Sequence, residues 1–329
     1  MAAGSAAVLQ AGPAAAGGQE QPTPGSLAGL QVLLTNDDSA QGRDTERGTD
    51  GEGLYELRKA LCAAGADVVA VAPWSQQSGA SGRITTPGSR PQPVTVQAVD
   101  APAAYTGDCA GAPSGGAVYG VCVGAQPCTE TSPSASPADA VSVALSRMIP
   151  DNYWPDGPDV VLSGINFGQN VGELVNHSGT VGAAVTAREF GVPSLAFSAE
   201  VSFEDLTATP FEQTASFAVP ALAKLRERNL LTPGLTLNIN HPFLGAGEQL
   251  GEPVYAAVGT ASDIELAYEG EVARNGGTYE LVIGEPSEET VRNADTTALE
   301  QNDIPITPLD GDWGSSATHG PLRALIAGW

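Results

Sequence analysis

Lysine and arginine are scarce in this chain. Its 329 residues include 14 of them against 38 aspartates and glutamates, so the formal net charge is −24 at pH 7, and the only lysines are Lys59 and Lys224. Such a surface repels nucleic-acid backbones and anionic lipids, so neither duplex nucleic acid nor a membrane is expected as a partner. It repels free nucleotides as well. A phosphate site in this chain therefore needs local positive charge from a metal ion or a helix N-terminus.

Long apolar runs are absent too. No stretch is long enough to span a bilayer, which predicts a soluble protein. Residues 1–29 are rich in Ala, Gly, Pro and Gln without apolar periodicity, and we expect them to be disordered. They contain no charged segment followed by a long apolar core, so no intact signal peptide is visible. Residues 30–329 can bury a full core, and we interpret them as a single domain.

Only four cysteines are present, Cys62, Cys109, Cys122 and Cys128, and the last three lie in one Gly-, Ser- and Pro-rich segment. Their spacing does not match a zinc site, because there is no second pair and no nearby histidine. Free thiols in a flexible loop are one interpretation. The other, which we favour, is a disulfide that staples the loop and implies an oxidising compartment. Cys62 lies in a predicted helix, where we expect it to be simply buried.

Apolar runs that alternate with helical patterns predict a parallel sheet. The run at residues 32–34 is typical of a buried strand, residues 67–73 form a second, and leucines at helical spacing lie between them, so the chain opens with a β-α-β unit. The alternation continues along the chain. It predicts an α/β fold with a Rossmann-like, mostly parallel sheet flanked by helices. The further predicted strands are residues 158–163, 192–198 and 235–240, and the further predicted helices begin at residues 137, 181 and 209.

Four segments depart from this alternation. Residues 91–99 resemble an additional strand, and residues 107–136 form a low-complexity, Cys-containing insertion. Residues 252–303 change to β-like patterns at 254–258 and 279–283, which we interpret as a projecting β-hairpin arm. Residues 322–329 predict a short C-terminal helix.

Polar side chains follow three of the predicted strands. Asp37 and Asp38 end the first strand, Ser78 lies in the loop after the second, and Asn166 follows the third. Ligands of open α/β sheets bind at the carboxyl ends of strands. Carboxylate, hydroxyl and amide oxygens suit Mg²⁺, Mn²⁺ or Ca²⁺, and two carboxylates with open positions favour Mg²⁺ or Mn²⁺ shared with a substrate phosphate. The simpler alternative is a polar turn that leaves the strand, since Asn, Asp and Ser are ordinary turn residues.

A predicted helix start could bind an anion beside this set. Ser178, Gly179 and Thr180 precede a helix of small residues, where unpaired backbone N–H groups and the positive end of the helix dipole attract negative charge. Gly79 and Gly179 would let the backbone approach an anion closely. For Ser178 and Thr180 the alternative is ordinary N-capping.

Taken together, these motifs resemble those of the SurE survival-protein family. The resemblance rests on LLTNDD at 33–38, QSG at 77–79, SGIN at 163–166 with Gly168 and Asn170, and SGTV at 178–181, and it covers nearly all of residues 30–312. It extends to PAD at 137–139, LNIN at 237–240 and ITPL at 306–309. The variant at residues 170–180 is most similar to exported members, which supports the disulfide and an extracellular or periplasmic location.

The resemblance implies roles for individual residues. Asp37, Asp38, Ser78 and Asn166 would hold the divalent metal, and Asn170, Ser178, Gly179 and Thr180 would contact the phosphate. Asp312 falls where the family has an acidic residue near the site. Ser316 stands where the family has a histidine, and His319 lies nearby but off register. Ser39 replaces a glycine that usually follows the two acids.

Our hypothesis is a metal-dependent phosphomonoesterase, and the resemblance implies nucleoside 5′- and 3′-monophosphates as its substrates and a homodimer or homotetramer. Asp37 is the candidate for acid–base or in-line work. His177 would protonate the leaving alkoxide or, alternatively, orient its loop through a hydrogen bond. Two other functions stay open: a broad-specificity acid phosphatase or polyphosphatase, and a non-catalytic binder of nucleotides or anions.

Overall fold

The computed structural model of the protein describes residues 25–41, 51–261, 264–271 and 274–311, together with Ile326. The predicted C-terminal helix at residues 322–329, apart from Ile326, and the first 24 residues lie outside the described residues. The strands are β1 Gln31–Thr35, β2 Asp67–Pro73, β3 Val94–Ala98, β4 Val118–Val123, β5 Val160–Phe167, β6 Ser194–Ala199, β7 Thr236–His241, β8 Pro253–Tyr255, β9 Leu266–Glu269, β10 Glu280–Ile283 and β11 Ile304–Pro308.

Helices connect the parallel strands. They are α1 Glu52–Ala63, α2 Pro137–Val143, α3 Ile149–Asn152, α4 Gly179–Glu189, α5 Phe211–Glu227 and α6 Asp295–Glu300, with a π-helical segment, Ala144–Met148, between α2 and α3. Ser136 begins α2 with a capping box shared with Asp139, and Ser178 caps α4 by accepting the Val181 N–H. These caps fix where each helix starts relative to the strand that precedes it.

A nine-stranded sheet organises the described chain, in the order β3-β4-β2-β1-β5-β6-β7-β11-β8. The central strands run parallel, while β3 is antiparallel to β4 and β11 is antiparallel to β7. Successive residues of β1 face opposite sides, because strand side chains alternate. Leu34 packs into a core with α1 and α5, and Leu33 packs into a second core with α2 and α4. The predicted α/β class with a mostly parallel sheet is confirmed.

The low-complexity insertion predicted at residues 107–136 contains a strand of the main sheet. It contains β4, which pairs in parallel with β2 and continues the main sheet. The sequence VYGVCV of β4 is apolar but short. The Gly, Ser and Pro residues on both sides give the whole segment a loop-like composition, which hides the strand in the sequence. The predicted strand within residues 91–99 is present as β3 and forms the sheet edge next to β4.

The predicted pairing within the arm at residues 252–303 was wrong. The strand at 254–258 corresponds to β8, which pairs with β11 at the edge of the main sheet. The hairpin instead joins β9 to β10. Alternating apolar residues identify a strand but not its partner, and β9 was missed because its four-residue segment LAYE is too short to show a clear alternation.

Cysteine pairing also differs from our prediction for Cys62. The expected disulfide within residues 107–136 is present as Cys122–Cys128, but Cys62 pairs with Cys109 instead of being simply buried. The insertion folds back over α1, where the Arg58 guanidinium donates to the Gly116 carbonyl at 2.9 Å and so brings the Cys109 region to this helix.

Residues 25–29 are ordered, which corrects the last part of the predicted disordered segment 1–29. They form a turn in which the Leu27 N–H donates to the Ala64 carbonyl at 3.0 Å, and the Leu27 side chain is buried in the core under α1. Leu27 follows a Pro- and Gly-containing stretch and shows neither helical nor strand spacing, so no periodicity reveals it. No helix among the described residues is both long and apolar enough to cross a membrane.

Candidate active site

The end of β1 meets the N-terminus of α4, and the contact is made by Asp37 and Thr180. The Thr180 hydroxyl donates to Asp37 Oδ1 at 2.6 Å, and the Thr180 backbone N–H donates to Asp37 Oδ2 at 3.0 Å. Gly179 lies against the same carboxylate, since a Cβ on Gly179 would come within 2.7 Å of Asp37 Oδ2. The first turn of α4 therefore holds a carboxylate where a helix N-terminus favours an anion.

Two asparagines converge on the same hydroxyl. Asn36 Oδ1 lies 3.4 Å and Asn166 Oδ1 lies 3.2 Å from Thr180 Oγ1. A hydroxyl has a single proton, and the shortest contact assigns it to Asp37. The amide oxygens of Asn36 and Asn166 are thus directed at this point without receiving that proton. The result is a cluster of buried acceptor oxygens with few donors.

Asp38 turns toward β5. Its Oδ2 accepts the Phe167 N–H at 2.9 Å and lies 3.4 Å from the Asn36 amide nitrogen, and the side chain is buried. The next residue, Ser39, has a φ of 77°, a conformation that favours glycine, at the position where the family resemblance has a glycine. Asn36 contacts the surroundings of both acids. Its amide nitrogen donates to the Ile165 carbonyl at 2.9 Å and lies near Asp38, and its Oδ1 faces the Thr180 hydroxyl that binds Asp37.

Burial raises the pKa of the Asp37 carboxyl above its ordinary value, and the hydrogen bonds from Thr180 and Gly179 work in the opposite direction. Desolvation is the larger effect, because the charged form loses more hydration than the helix end restores. A carboxyl with a raised pKa exchanges a proton more readily near neutral pH than an ordinary aspartate does.

The loop after β2 approaches the cluster through its backbone. The Gln77 N–H donates to the Asp37 carbonyl at 2.8 Å. Ser78 and Gly79 are exposed, and the Ser78 hydroxyl accepts a short hydrogen bond from the Gln76 amide. Three of the four predicted metal ligands, Asp37, Asp38 and Asn166, are therefore gathered at this sheet edge, while the Ser78 side chain contacts its own loop.

Asn170 is part of a separate buried amide network. Its carbonyl accepts from the side-chain amides of Asn238 at 2.7 Å and Asn240 at 3.2 Å, and its own N–H donates to Asn240 Oδ1 at 2.7 Å. The Asn170 side chain donates to Ser198 Oγ at 2.8 Å. Side chains of β6 and β7 thus hold both the backbone and the side chain of Asn170 in place.

The remaining predicted residues are distributed around α4. Ser178 is the N-cap, as its simpler interpretation requires, and His177 is exposed on the turn before it. Asp312 lies outside the described residues. We had not singled out Asn36, Asn238 and Asn240 as site residues, although each lies in a motif that carries the family resemblance. The signal that could have found them is the density of asparagines in or directly after β1, β5 and β7.

Fold and cluster together define an α/β protein with an acid- and amide-lined site where parallel strands end against a helix N-terminus. A family model described as Survival protein SurE matches residues 32–262. The 5'-nucleotidase SurE of Desulfitobacterium hafniense (strain DSM 10664 / DCB-2) is 32% identical over 290 residues, which cover 86% of this chain and 92% of that protein. The chain therefore belongs to the SurE family.

Further relatives agree with this placement. The 5'-nucleotidase SurE of Xanthomonas campestris pv. campestris (strain B100) is 29% identical over 300 residues, which cover 91% of this chain and 95% of that protein. Among solved structures, the SurE protein from Aquifex aeolicus superimposes with a TM-score of 0.62 at 25% identity, and the match covers 90% of this chain and 99% of that one. The similarity thus includes the strands and the helix start that form the candidate site.

Proposed function

We propose that this protein is a metal-dependent phosphomonoesterase that hydrolyses nucleoside 5′- and 3′-monophosphates to nucleoside and phosphate. Its membership of the SurE family and the name 5'-nucleotidase given to its relatives support this substrate class. The observation that carries the proposal is the convergence of Asp37, Asn36 and Asn166 oxygens on the Thr180 hydroxyl, with Asp38 bonded to the same Asn36.

The donor set fits a hard divalent cation. Two carboxylates and an amide oxygen, all buried, are oxygen ligands of the kind that Mg²⁺ and Mn²⁺ prefer, while Ca²⁺ could also occupy the site. No third His, Cys, Asp or Glu joins the two acids among the described residues. Asp37, Asp38 and Asn166 would hold the ion, with Ser78 from the adjoining loop. When bound, the ion would polarise a phosphate oxygen and lower the pKa of a water molecule.

The chain's own groups would supply charge stabilisation. The backbone N–H groups of Gly179 and Thr180 point outward from the start of α4, where the helix dipole favours the negative charge of a phosphate. In this structure they donate to the Asp37 carboxylate, so the phosphate would bind beside or in exchange for that carboxylate. Ser178, Gly79 and Asn170 are the further phosphate contacts of this proposal.

Proton transfer would fall to Asp37 and His177. The raised pKa of Asp37 suits a group that shuttles a proton at the reacting phosphate. His177 is exposed on the turn directly before the helix start, from where it would protonate the leaving alkoxide. Asp312 would act as a third acidic group at the site, as the family resemblance implies.

Phosphate release tests this function directly. The protein is stripped with a chelator and then supplied with Mn²⁺ or Mg²⁺, and inorganic phosphate is measured from 5′-AMP, 3′-AMP, an aryl phosphate and polyphosphate. We expect metal-dependent release with the nucleotides preferred. Equal rates on all four substrates would indicate a broad phosphatase, and release from none would indicate a binding protein. Asp38→Asn should abolish the metal-dependent release of phosphate. If this variant keeps full activity, the metal assignment is wrong.

Assembly and compartment form part of the proposal. The hairpin β9–β10 exposes large apolar side chains, including Leu266, Tyr268, Leu281 and Ile283, an area suited to a contact with a second copy of the chain. We infer a homodimer or homotetramer. Two disulfides, with all four cysteines paired, support an extracellular or periplasmic location.

A further inference from the structure

A second pair of carboxylates lies outside the cluster described above, at the root of the β9–β10 hairpin. Asp295 begins α6 and is fully buried, and Glu289 lies six residues before it. Both side chains accept from backbone N–H groups of residues 259–261, the segment that leads from β8 toward the hairpin. Asp295 also accepts the Gly172 N–H, a bond that Glu289 does not make among the described residues and that points toward the candidate active site.

Asp295 reaches across to the segment before α4. Its Oδ1 accepts the Gly172 N–H at 3.1 Å, the Gly259 N–H at 2.8 Å and the Thr296 N–H at 3.0 Å. Its other oxygen, Oδ2, has no hydrogen-bond partner within the described part of the chain, where Oδ1 makes every bond of this side chain. Burying a carboxylate is costly, and the three backbone N–H groups that donate to Oδ1 offset that cost only while Gly172, Gly259 and Thr296 keep their places.

The two segments that Asp295 joins are in close contact. Gly172 has a φ of 57°, and a Cβ on it would come within 1.8 Å of the Ala261 carbonyl oxygen. The Glu173 N–H donates to that same carbonyl at 3.2 Å. Residues 259–261 therefore lie directly on the start of the 3₁₀ turn Gly172–Asn176.

From this turn the contacts lead without a break to Asp37. The Leu174 carbonyl accepts the N–H groups of His177 at 2.9 Å and Ser178 at 3.0 Å, which fixes the N-cap of α4. Two residues later the Thr180 N–H holds the Asp37 carboxylate. A displacement of Gly172 would thus pass through a single short turn to the predicted catalytic carboxylate, and rates of positioned reactions are sensitive to misplacements of about 1 Å.

We propose that Asp295 is a positioning residue, which fixes the turn at Gly172–Asn176 and so aligns the start of α4 with Asp37 for phosphate-ester hydrolysis. The proposal rests on the proposed function for its catalytic readout. Asp295 touches neither the candidate metal ligands nor the predicted phosphate contacts, so its effect is exerted through Gly172.

The test compares Asp295→Ala and Asp295→Asn with the matched control Glu289→Gln. Glu289 binds the same segment 259–261 but not Gly172, so its variant perturbs that segment and leaves the bond between Asp295 and Gly172 in place. With 5′-AMP and Mn²⁺, we expect Asp295→Ala to lower kcat about tenfold, the equivalent of one hydrogen bond, with KM changed less than about twofold. Asp295→Asn keeps Oδ1 as an acceptor and should recover most of kcat.

Amide hydrogen exchange supplies a readout that does not depend on turnover. We expect faster exchange across residues 172–181 in Asp295→Ala and unchanged exchange there in Glu289→Gln, with thermal melts that confirm folding of all three variants. The proposal is overturned if Asp295→Ala keeps wild-type kcat and exchange, or if Glu289→Gln reproduces both effects. If the wild type releases no phosphate, the proposed function fails, and exchange alone still decides whether Asp295 holds the turn.

Discussion

Thr180 binds both oxygens of Asp37, with its hydroxyl 2.6 Å from Oδ1 and its backbone N–H 3.0 Å from Oδ2. These two bonds join the end of β1 to the start of α4, which the sequence separates by 143 residues. The carboxylate is buried, so its orientation depends on these donors. The relationship makes Thr180 an orienting residue for Asp37 in addition to its predicted contact with phosphate.

Replacing the Thr180 hydroxyl should therefore impair catalysis. Thr180→Val keeps the shape and the backbone bond but removes a hydrogen bond to a charged group, which contributes roughly 1.5–3 kcal/mol, so we expect kcat to fall roughly 10- to 100-fold. Thr180→Ser retains the hydroxyl and should stay within a few-fold of wild type. Steady-state phosphate release measures both variants, and equal rates for Val and Ser would show that the hydroxyl is not needed.

A side chain at residue 179 should push the helix start away from the acid. The Cβ of Gly179→Ala would lie 2.7 Å from Asp37 Oδ2 and 3.1 Å from the Gln77 carbonyl oxygen, so either α4 or the loop after β2 must shift. We expect weaker Mn²⁺ binding, measured by calorimetry, and a higher KM. Gly82→Ala is the matched control, because its Cβ would meet nothing within 4 Å. Wild-type metal affinity in Gly179→Ala would contradict the predicted close approach.

Stability should depend on pH through His241. Burial lowers the pKa of His241 from 6.5 to about 4, although the contact with the Pro242 carbonyl opposes this. The unfolded chain therefore binds a proton that the folded chain rejects between those two pKa values, and stability falls as the pH drops from 6.5 toward 4. The limit of this loss is roughly 3 kcal/mol.

The measurement is the free energy of unfolding at several pH values in wild type and His241→Gln. The variant should lose less stability than the wild type on acidification, whatever its stability at pH 7. His177→Gln, at an exposed position, is the control and should keep the wild-type slope. Parallel slopes for wild type and His241→Gln would rule out this histidine as the source.

The two disulfides should contribute unequally to stability. Cys62–Cys109 closes a separation of 47 residues and Cys122–Cys128 a separation of 6. Chain-entropy arguments give roughly 4 kcal/mol for the first and roughly 2 kcal/mol for the second. Paired Cys→Ala variants should show this order in denaturant unfolding, and a thiol count on the denatured, unreduced wild type should find none free. The reverse order would mean that local packing outweighs the entropy term.

Much of the fold and part of the site follow from sequence, since local patterns decide them. The apolar run before Asp37 and Asp38 fixes β1, and parallel strands that end in polar residues must place them at one sheet edge. Strand β4 could not be found this way, because its six residues lie among Gly, Ser and Pro. The partner of β8 and the Cys62–Cys109 bond depend on contacts between distant segments, which no local pattern encodes.

The site shows the same division. Spacing and residue type predict that Asp37, Asp38 and Asn166 lie together. They do not reveal that the hydroxyl and the backbone N–H of Thr180 both donate to Asp37. Ser78 is the opposite case, since it lies on the predicted edge while its side chain turns to Gln76. Side-chain orientation depends on neighbours contributed by other strands, so the sequence locates the site better than it describes it.

The segment that both disulfides fasten, residues 107–136, lies on one flank of β1, in the half of the sheet that contains β2, β3 and β4. Cys62–Cys109 joins this segment to α1, a helix that also packs against β5 and α5. The opposite flank, from β5 to β8, is held by noncovalent forces alone among the described residues. A reductant would therefore act asymmetrically on the molecule. It would release residues 107–136 from α1 and open the loop after β4, whereas the side of the sheet that carries Asn166 and Asn170 has no disulfide to lose among the described residues.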